Sequence, residues 1–435
     1  MMSASPDPSA RPSKGLKIVH GEEINAVDIT QDTRFVEAGS AMISTSTSHT
    51  AAQESAGFFN NPSNFTISDS TIVHHVTQTS SRTESLAEAI RRLAEKALPD
   101  AFFDSAARCP PPRCHPDTRI ELRNSIIRWI IDQSRTSNLL WLYGPAGIGK
   151  SAILQTIAEE CHKTNWLGTT FFFSRANRCD DPGRVIPSIV YQLRVSYPTY
   201  RKIIDPILVD HPLVLDKTLA AQFGDLIVKP LTAISSRMAE PIVIIVDAVD
   251  ECRGDNAQQE LISLIFAFAN QCRVAKLPLV WIISSRPEWQ IVSHFSKIDP
   301  SSTCRREKID VADEQSRETV RIFLRDGLKD IQNEFSYAFT ESQSSWPTED
   351  QLLVLEMKAD GLPLFAETLL RFIRDNGIGN PVGQLDLCLD FLSGNRMPVE
   401  VNPIGNPLAS LYRGILRNID PIAWISSVGI VCQSK

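Results

Sequence analysis

Leu139-Leu140-Trp141-Leu142-Tyr143 runs directly into Gly144-Pro145-Ala146-Gly147-Ile148-Gly149-Lys150-Ser151. The second stretch satisfies G-x-x-x-x-G-K-[ST] in full, and its context matches. Five apolar residues predict a buried strand before it. Residues 152–163 have the pattern of a helix after it. Glycines let successive backbone N–H groups turn inward as an anion nest. The new helix aims the positive end of its dipole at the same point. Lys150 is then placed for the β- and γ-phosphates, and the Ser151 hydroxyl for Mg²⁺. The loop from Gly144 to Ser151, counting Pro145, Ala146, Gly147, Ile148 and Gly149, is thus a candidate site for Mg-ATP or Mg-GTP.

A second element fits the first. Ile242-Val243-Ile244-Ile245-Val246-Asp247 is an apolar strand that ends in an acid, followed by Ala248-Val249-Asp250-Glu251. Ligands of open parallel sheets bind at the carboxyl ends of strands. Asp247 is therefore expected to hold Mg²⁺ with Ser151. Asp250 or Glu251 is expected to reach outward and orient or deprotonate the attacking water. A further strand over 279–284 leads to Ser285-Arg286-Pro287. An arginine at that edge is placed to sense a γ-phosphate.

The rest of the chain sets the frame. The protein has 435 residues, 43% of them hydrophobic and 22% charged, enough for two or three domains with a sizeable core. Its net charge of -7 argues against a general nucleic-acid binder. No stretch has the length and apolarity of a membrane span, and no secretory signal opens the chain. Nine cysteines at irregular spacing read as reduced thiols in an intracellular, cytoplasmic setting. Cys109, Cys114 and His115 do not make a zinc knuckle, because Pro110-Pro111-Pro112-Arg113 separates the cysteines.

Short apolar runs at 139–143, 170–173, 242–246 and 279–284 alternate with helical stretches. Continuous apolarity marks strands buried on both faces. The expected fold class is α/β: a P-loop NTPase with a parallel sheet flanked by helices. The expected domains are a disordered leader (1–55), a short hairpin-like segment (56–82), a helical flank (83–136), the P-loop core (137–310), a helical domain (311–400) and the start of a truncated winged helix (401–435). Within the flank, a helix over 84–98 and another capped by Asp117, with Ile120, Ile127, Ile130 and Ile131 on its apolar face, are predicted. Beyond 311, helices are predicted at 313–329, 348–359 and 363–376, with one more in 408–435.

GPAGIGKS, IVIIVDAVDEC and WIISSRPE together resemble the NACHT NTPases, which belong to the signal-transduction ATPases with numerous domains and are relatives of AAA+ machines. AFFDSAARCPPPRCHPDTR before the loop, and FFFSR with IPSIVYQL after it, resemble the nephrocystin-like NTPase proteins of mushroom-forming fungi, as does the leader NFTISDSTIVHHV. The resemblance covers roughly residues 60–435. It implies a switch that is inactive with diphosphate and self-associates with triphosphate, engaging a protein partner not identifiable from sequence. It implies that Arg286 is a sensor arginine and that Pro363, in Gly361-Leu362-Pro363-Leu364, packs near the base. As a residue in its own right, Pro363 equally suits the first turn of a helix. Such relatives commonly continue into sensing repeats, and many use a winged-helix histidine to hold diphosphate. In this chain the last histidine is His294. A nucleotide-locked adaptor with negligible turnover is the alternative function. A conventional P-loop kinase fits less well, since no lid for an acceptor substrate is visible.

Overall fold

The computed structural model describes residues 75–235, 239–299, 303–339, 345–375 and 379–393. In chain order its main elements are α1 (His75–Lys96), α2 (Ile120–Ile131), β1 (Leu139–Tyr143), α3 (Lys150–Lys163), β2 (Leu167–Phe172), α4 (Val185–Ser196) and α5 (Pro198–Asp210). A helical run over 219–235, with a π turn at Phe223–Val228, leads to β3 (Ile242–Asp247). Then come α6 (Asp255–Val274), β4 (Leu279–Ser285), α7 (Trp289–Ile298), β5 (Arg305–Lys308), α8 (Glu314–Glu334), α9 (Glu349–Ala359), α10 (Pro363–Ile373) and α11 (Pro381–Ser393). The chain divides into two compact units, Met1–Glu84 and Ser85–Lys435, and the sheet lies in the second.

The five strands form one parallel sheet in the order β2-β3-β4-β1-β5. Side chains alternate across it, as the strand period of two requires. Trp141, Ile244, Val246, Trp281 and Ile283 enter the larger core on one face, with residues of α4, α5, α6 and α7. Leu140, Leu142, Val243, Ile245, Val280 and Ile282 enter the core on the other, with residues of α2 and α3. Both faces are covered, which explains the unbroken apolar runs. A third core joins α8, α9, α10 and α11 around Leu324, Leu328, Leu355, Phe365 and Leu369.

Several expectations need correction. Residues 75–82, placed in a hairpin-like segment, are helical, because α1 begins at His75. The remainder of that segment, the leader and the winged-helix region lie outside the described residues. Asp117 does not cap α2. The preceding residue Arg119 adopts a left-handed backbone (φ 56°) and no side chain caps the helix. The buried stripe of α2 is Ile126, Trp129 and Ile130, while Ile120 and Ile131 are each 47% exposed. The strand β5, reading Arg305-Arg306-Glu307-Lys308, was not foreseen, since it has no apolar residue and lies at the sheet edge. Pro381–Ser393 is a further helix absent from the expected set.

The helical part is tied to the sheet by a tight crossing. Gly361 has φ 74°, and a Cβ there would lie 2.2 Å from the Val311 carbonyl oxygen. Buried Arg119 adds a bond from Nη2 to Ser316 Oγ (2.9 Å) at the start of α8. Gly254 shares the positive φ (92°) but faces open space. Gly254→Ala is expected to cost only the positive-φ backbone term, of order 1–3 kcal/mol. Gly361→Ala should cost clearly more, because backbone must move as well. Denaturant midpoints of the two variants check this; equal losses would show that the crossing is not tight.

Candidate functional site

Gly144 follows β1, and a Cβ there would lie 2.6 Å from the Ile309 carbonyl oxygen, so the turn out of the sheet admits only glycine. Gly147 (φ 77°) and Gly149 (φ 94°) take the left-handed conformations that curl the loop, and α3 begins at Lys150. Lys150 Nζ donates to the carbonyls of Gly144 (2.8 Å) and Pro145 (2.9 Å), which holds the ammonium across the mouth of the loop. Burial lowers its pKa, while Asp250 and Asp247 act in the other direction. A partly desolvated ammonium held by neutral carbonyls gains strongly from an anion.

Asp247 ends β3 and is 2% exposed. Burial raises its pKa, opposed by hydrogen bonds from Ser151 and Ser284 and by the charges of Arg108 and Lys150. The Ser284 hydroxyl donates to Asp247 Oδ1 and itself accepts from the Ala248 N–H (3.0 Å). The structure therefore brings Ser151, the second residue of α3, onto the carboxylate two strands away from β1. Hydroxyl and carboxylate oxygens are hard donors, the type that Mg²⁺ selects.

After Asp247 the chain turns through Ala248, in a left-handed conformation (φ 56°), into a short helical turn at Val249–Glu251. Strain of this kind collects at functional sites. It sends Asp250 inward, against the expectation that it reaches outward to water. Asp250 is 3% exposed. Its Oδ1 accepts from the Arg286 backbone N–H (3.0 Å), and its Oδ2 lies 3.2 Å from Arg286 Nε. Glu251 is the acid that faces outward. Its Oε2 accepts from the Arg175 N–H (3.0 Å), and its Oε1 is 3.9 Å from Arg286 Nη2. The Arg175 side chain donates to the carbonyls of Asp250 (2.6 Å) and Glu251 (3.2 Å).

A cleft of about 640 Å³ is lined in part by 146–153, Ala248, Asp250, Glu251 and Arg286, and a smaller one of about 360 Å³ by Ser151, Asp247, Ala248 and Glu251. The larger volume suits a small organic ligand. Pro363 lies over the loop: a Cβ on Gly149 would be 3.9 Å from its Cγ. Leu364 is closer still, its N–H donating to the Gly147 carbonyl (3.2 Å).

The far wall was missed in the sequence. It is formed by Pro110–His115, Arg119, Phe323, Glu367 and Arg371. Cys114 N–H bonds Thr156 Oγ1 (3.1 Å) on α3, and His115 Nε2 lies 3.3 Å from Asp326 on α8. Residues 110–115, noted in the sequence only for the prolines that separate two cysteines, form a wall of the cleft. Arg108 was missed too. Its guanidinium lies 3.8 Å from the Phe172 ring centre and donates to Gln155 (3.1 Å), one turn beyond Ser151.

Residues 121–286 match the family model described as Nephrocystin 3, N-terminal. No curated protein sequence matches the chain. Three solved structures overlap it at low identity. Drosophila ORC bound to DNA shares 14% identity over 76% of this chain and 88% of its own, with a TM-score of 0.37. AMPPCP-bound DnaA from Aquifex aeolicus shares 10% over 74% and 84%, with a TM-score of 0.35. A chain from a structural study of katanin self-assembly shares 10% over 77% and 91%, with a TM-score of 0.34. The fold rests on the strand order and the loop rather than on these overlaps. The segment from Glu121 to Arg286 is thus similar to the nephrocystin 3 N-terminal family, and it lies on a parallel sheet with a complete phosphate loop.

Proposed function

We propose that this chain is a nucleotide switch that holds Mg-ATP or Mg-GTP on loop 144–151 and hydrolyses it slowly in intracellular signalling, such as non-self recognition. One observation carries the reading: Ser151, at the end of a complete phosphate loop, and the buried Asp247 line the same pocket, close enough for the hydroxyl to lower the pKa of the carboxyl. The left-handed glycines, the captive Lys150 and this oxygen pair fit a magnesium-bound triphosphate. Lys150 and the loop N–H groups would hold the phosphates, and Ser151 and Asp247 would hold the metal. When bound, the metal would offset charge on the phosphate oxygens. Glu251 would orient the attacking water, Arg286 would meet the terminal phosphate, and Pro363 with Leu364 would report loop occupancy to the helical part. Triphosphate binding would favour self-association.

A second reading is a nucleotide-locked interaction module. It is favoured by the engagement of Arg286 with Asp250, which leaves Glu251 as the only outward-facing acid of the turn. Steady-state turnover by the purified chain separates the two.

Lys150→Ala is expected to weaken triphosphate binding by about ten- to a hundred-fold, the range of a charge-assisted hydrogen bond. Titration calorimetry measures this, and unchanged affinity would remove the site from loop 144–151. Asp247→Asn should weaken binding in the presence of Mg²⁺ and have little effect in its absence. Glu251→Gln should retain binding and slow hydrolysis by ~10²-fold or more. A Glu251 variant with full turnover would leave the water without its proposed partner.

A further inference from the structure

Asp250 is a buried acid for which the reading above has no task. Its carboxylate is fastened at both oxygens by a single residue: Oδ1 by the Arg286 backbone N–H (3.0 Å) and Oδ2 by Arg286 Nε (3.2 Å). Its own carbonyl accepts from Arg175 Nη2 (2.6 Å) and Gln258 Nε2 (3.1 Å), so the backbone that carries it is fixed as well. The Arg286 side chain is 47% exposed and borders the cleft beside Lys150, while the Asp250 side chain is 4% exposed beneath it. Nη2 is left 3.9 Å from Glu251, on the open side.

We propose that Asp250 is a positioning residue that holds Arg286 by its inner edge, so that the outer guanidinium nitrogens face the terminal phosphate. The proposal rests on the nucleotide reading above. The physical argument has two parts. An arginine side chain has many rotamers, and an anion that engages a loose one must order it first. A carboxylate tying Nε to the backbone N–H of the same residue removes that disorder beforehand. A buried carboxylate that cannot turn to solvent keeps its partner, since losing it would leave an uncompensated charge. Asp250 thereby differs from its neighbour Glu251: one acid aims the arginine and the other faces the water.

The test is a double-mutant cycle on the full chain with two probes, a fluorescent non-hydrolysable triphosphate analogue and the matching diphosphate, both with Mg²⁺. The quantity read is the ratio of the two affinities. Asp250→Asn and Arg286→Ala are each expected to lower the ratio about ten- to a hundred-fold, the range of one charge-assisted hydrogen bond. Diphosphate affinity should stay unchanged, and the double variant should be no worse than Arg286→Ala, as coupled sites behave. A second readout needs no ligand. Arg286→Ala strands the buried Asp250, so adding Asp250→Asn should raise its melting temperature. Effects that multiply would overturn the proposal. So would an Asp250→Asn variant that keeps the affinity ratio while losing turnover, because the acid would then act on water. A wild type that binds neither probe would take down the nucleotide reading and this proposal together. A wild type that discriminates, with single variants that discriminate equally well, would take down this proposal alone.

Discussion

A carboxylate at the end of a core strand governs this architecture. Asp247 is almost fully buried, and a charge in that position costs several kcal/mol unless partners surround it. Those partners come from separate parts of the chain: Ser151 from α3 and Ser284 from β4, with the charges of Lys150 and Arg108 nearby. Each arrives only if the sheet has its observed order. With β4 between β1 and β3, Ser284 is a direct neighbour of the acid, and the phosphate loop emerges one strand further along. The same insertion brings Arg286, just past the end of β4, onto the acidic turn.

The turn itself is fastened from both sides. Arg175, just past β2, supplies three donors, and Arg286 and Gln258 supply further ones. Two arginines from strands flanking β3 thus fix a stretch whose Ala248 sits in an unfavourable backbone region, a cost of order 1 kcal/mol or more. Alanine is the smallest residue with a Cβ to bear that conformation. The opposing inward and outward directions of Asp250 and Glu251 follow from it.

The fold class was legible in the sequence because its strongest signals are local. A strand, a glycine loop and a helix in immediate succession need no tertiary information, and apolar runs such as Ile242 to Val246 announce a sheet covered on both faces. The edge strand β5 was not legible, because its residues are half-buried or exposed and its pairing with β1 satisfies only backbone. The stripe of α2 was misread for a related reason. Isoleucines at 120 and 131 look like core residues, but geometry gives the buried face to Ile126, Trp129 and Ile130. At the site, Lys150, Ser151 and Asp247 were nameable from spacing. The inward turn of Asp250 was not, since nothing in Asp247-Ala248-Val249-Asp250 signals a left-handed alanine. The wall at 110–115 was hidden because a run of prolines reads the same whether it crosses solvent or roofs a cleft.

The bond from the Leu364 N–H to the Gly147 carbonyl joins two parts of the chain through backbone alone. Gly147 has no side chain to cushion the contact, and a Cβ there would meet Leu364 at 2.9 Å. The peptide after Gly147 therefore cannot reorient without α10 shifting or surrendering its bond. Thermodynamic linkage makes that constraint symmetric: whatever favours one orientation of the peptide favours one seat of the helix, by the same free energy in each direction. A partner that grips the side of the α8–α11 bundle turned away from the cleft would accordingly tune affinity at the loop without touching it.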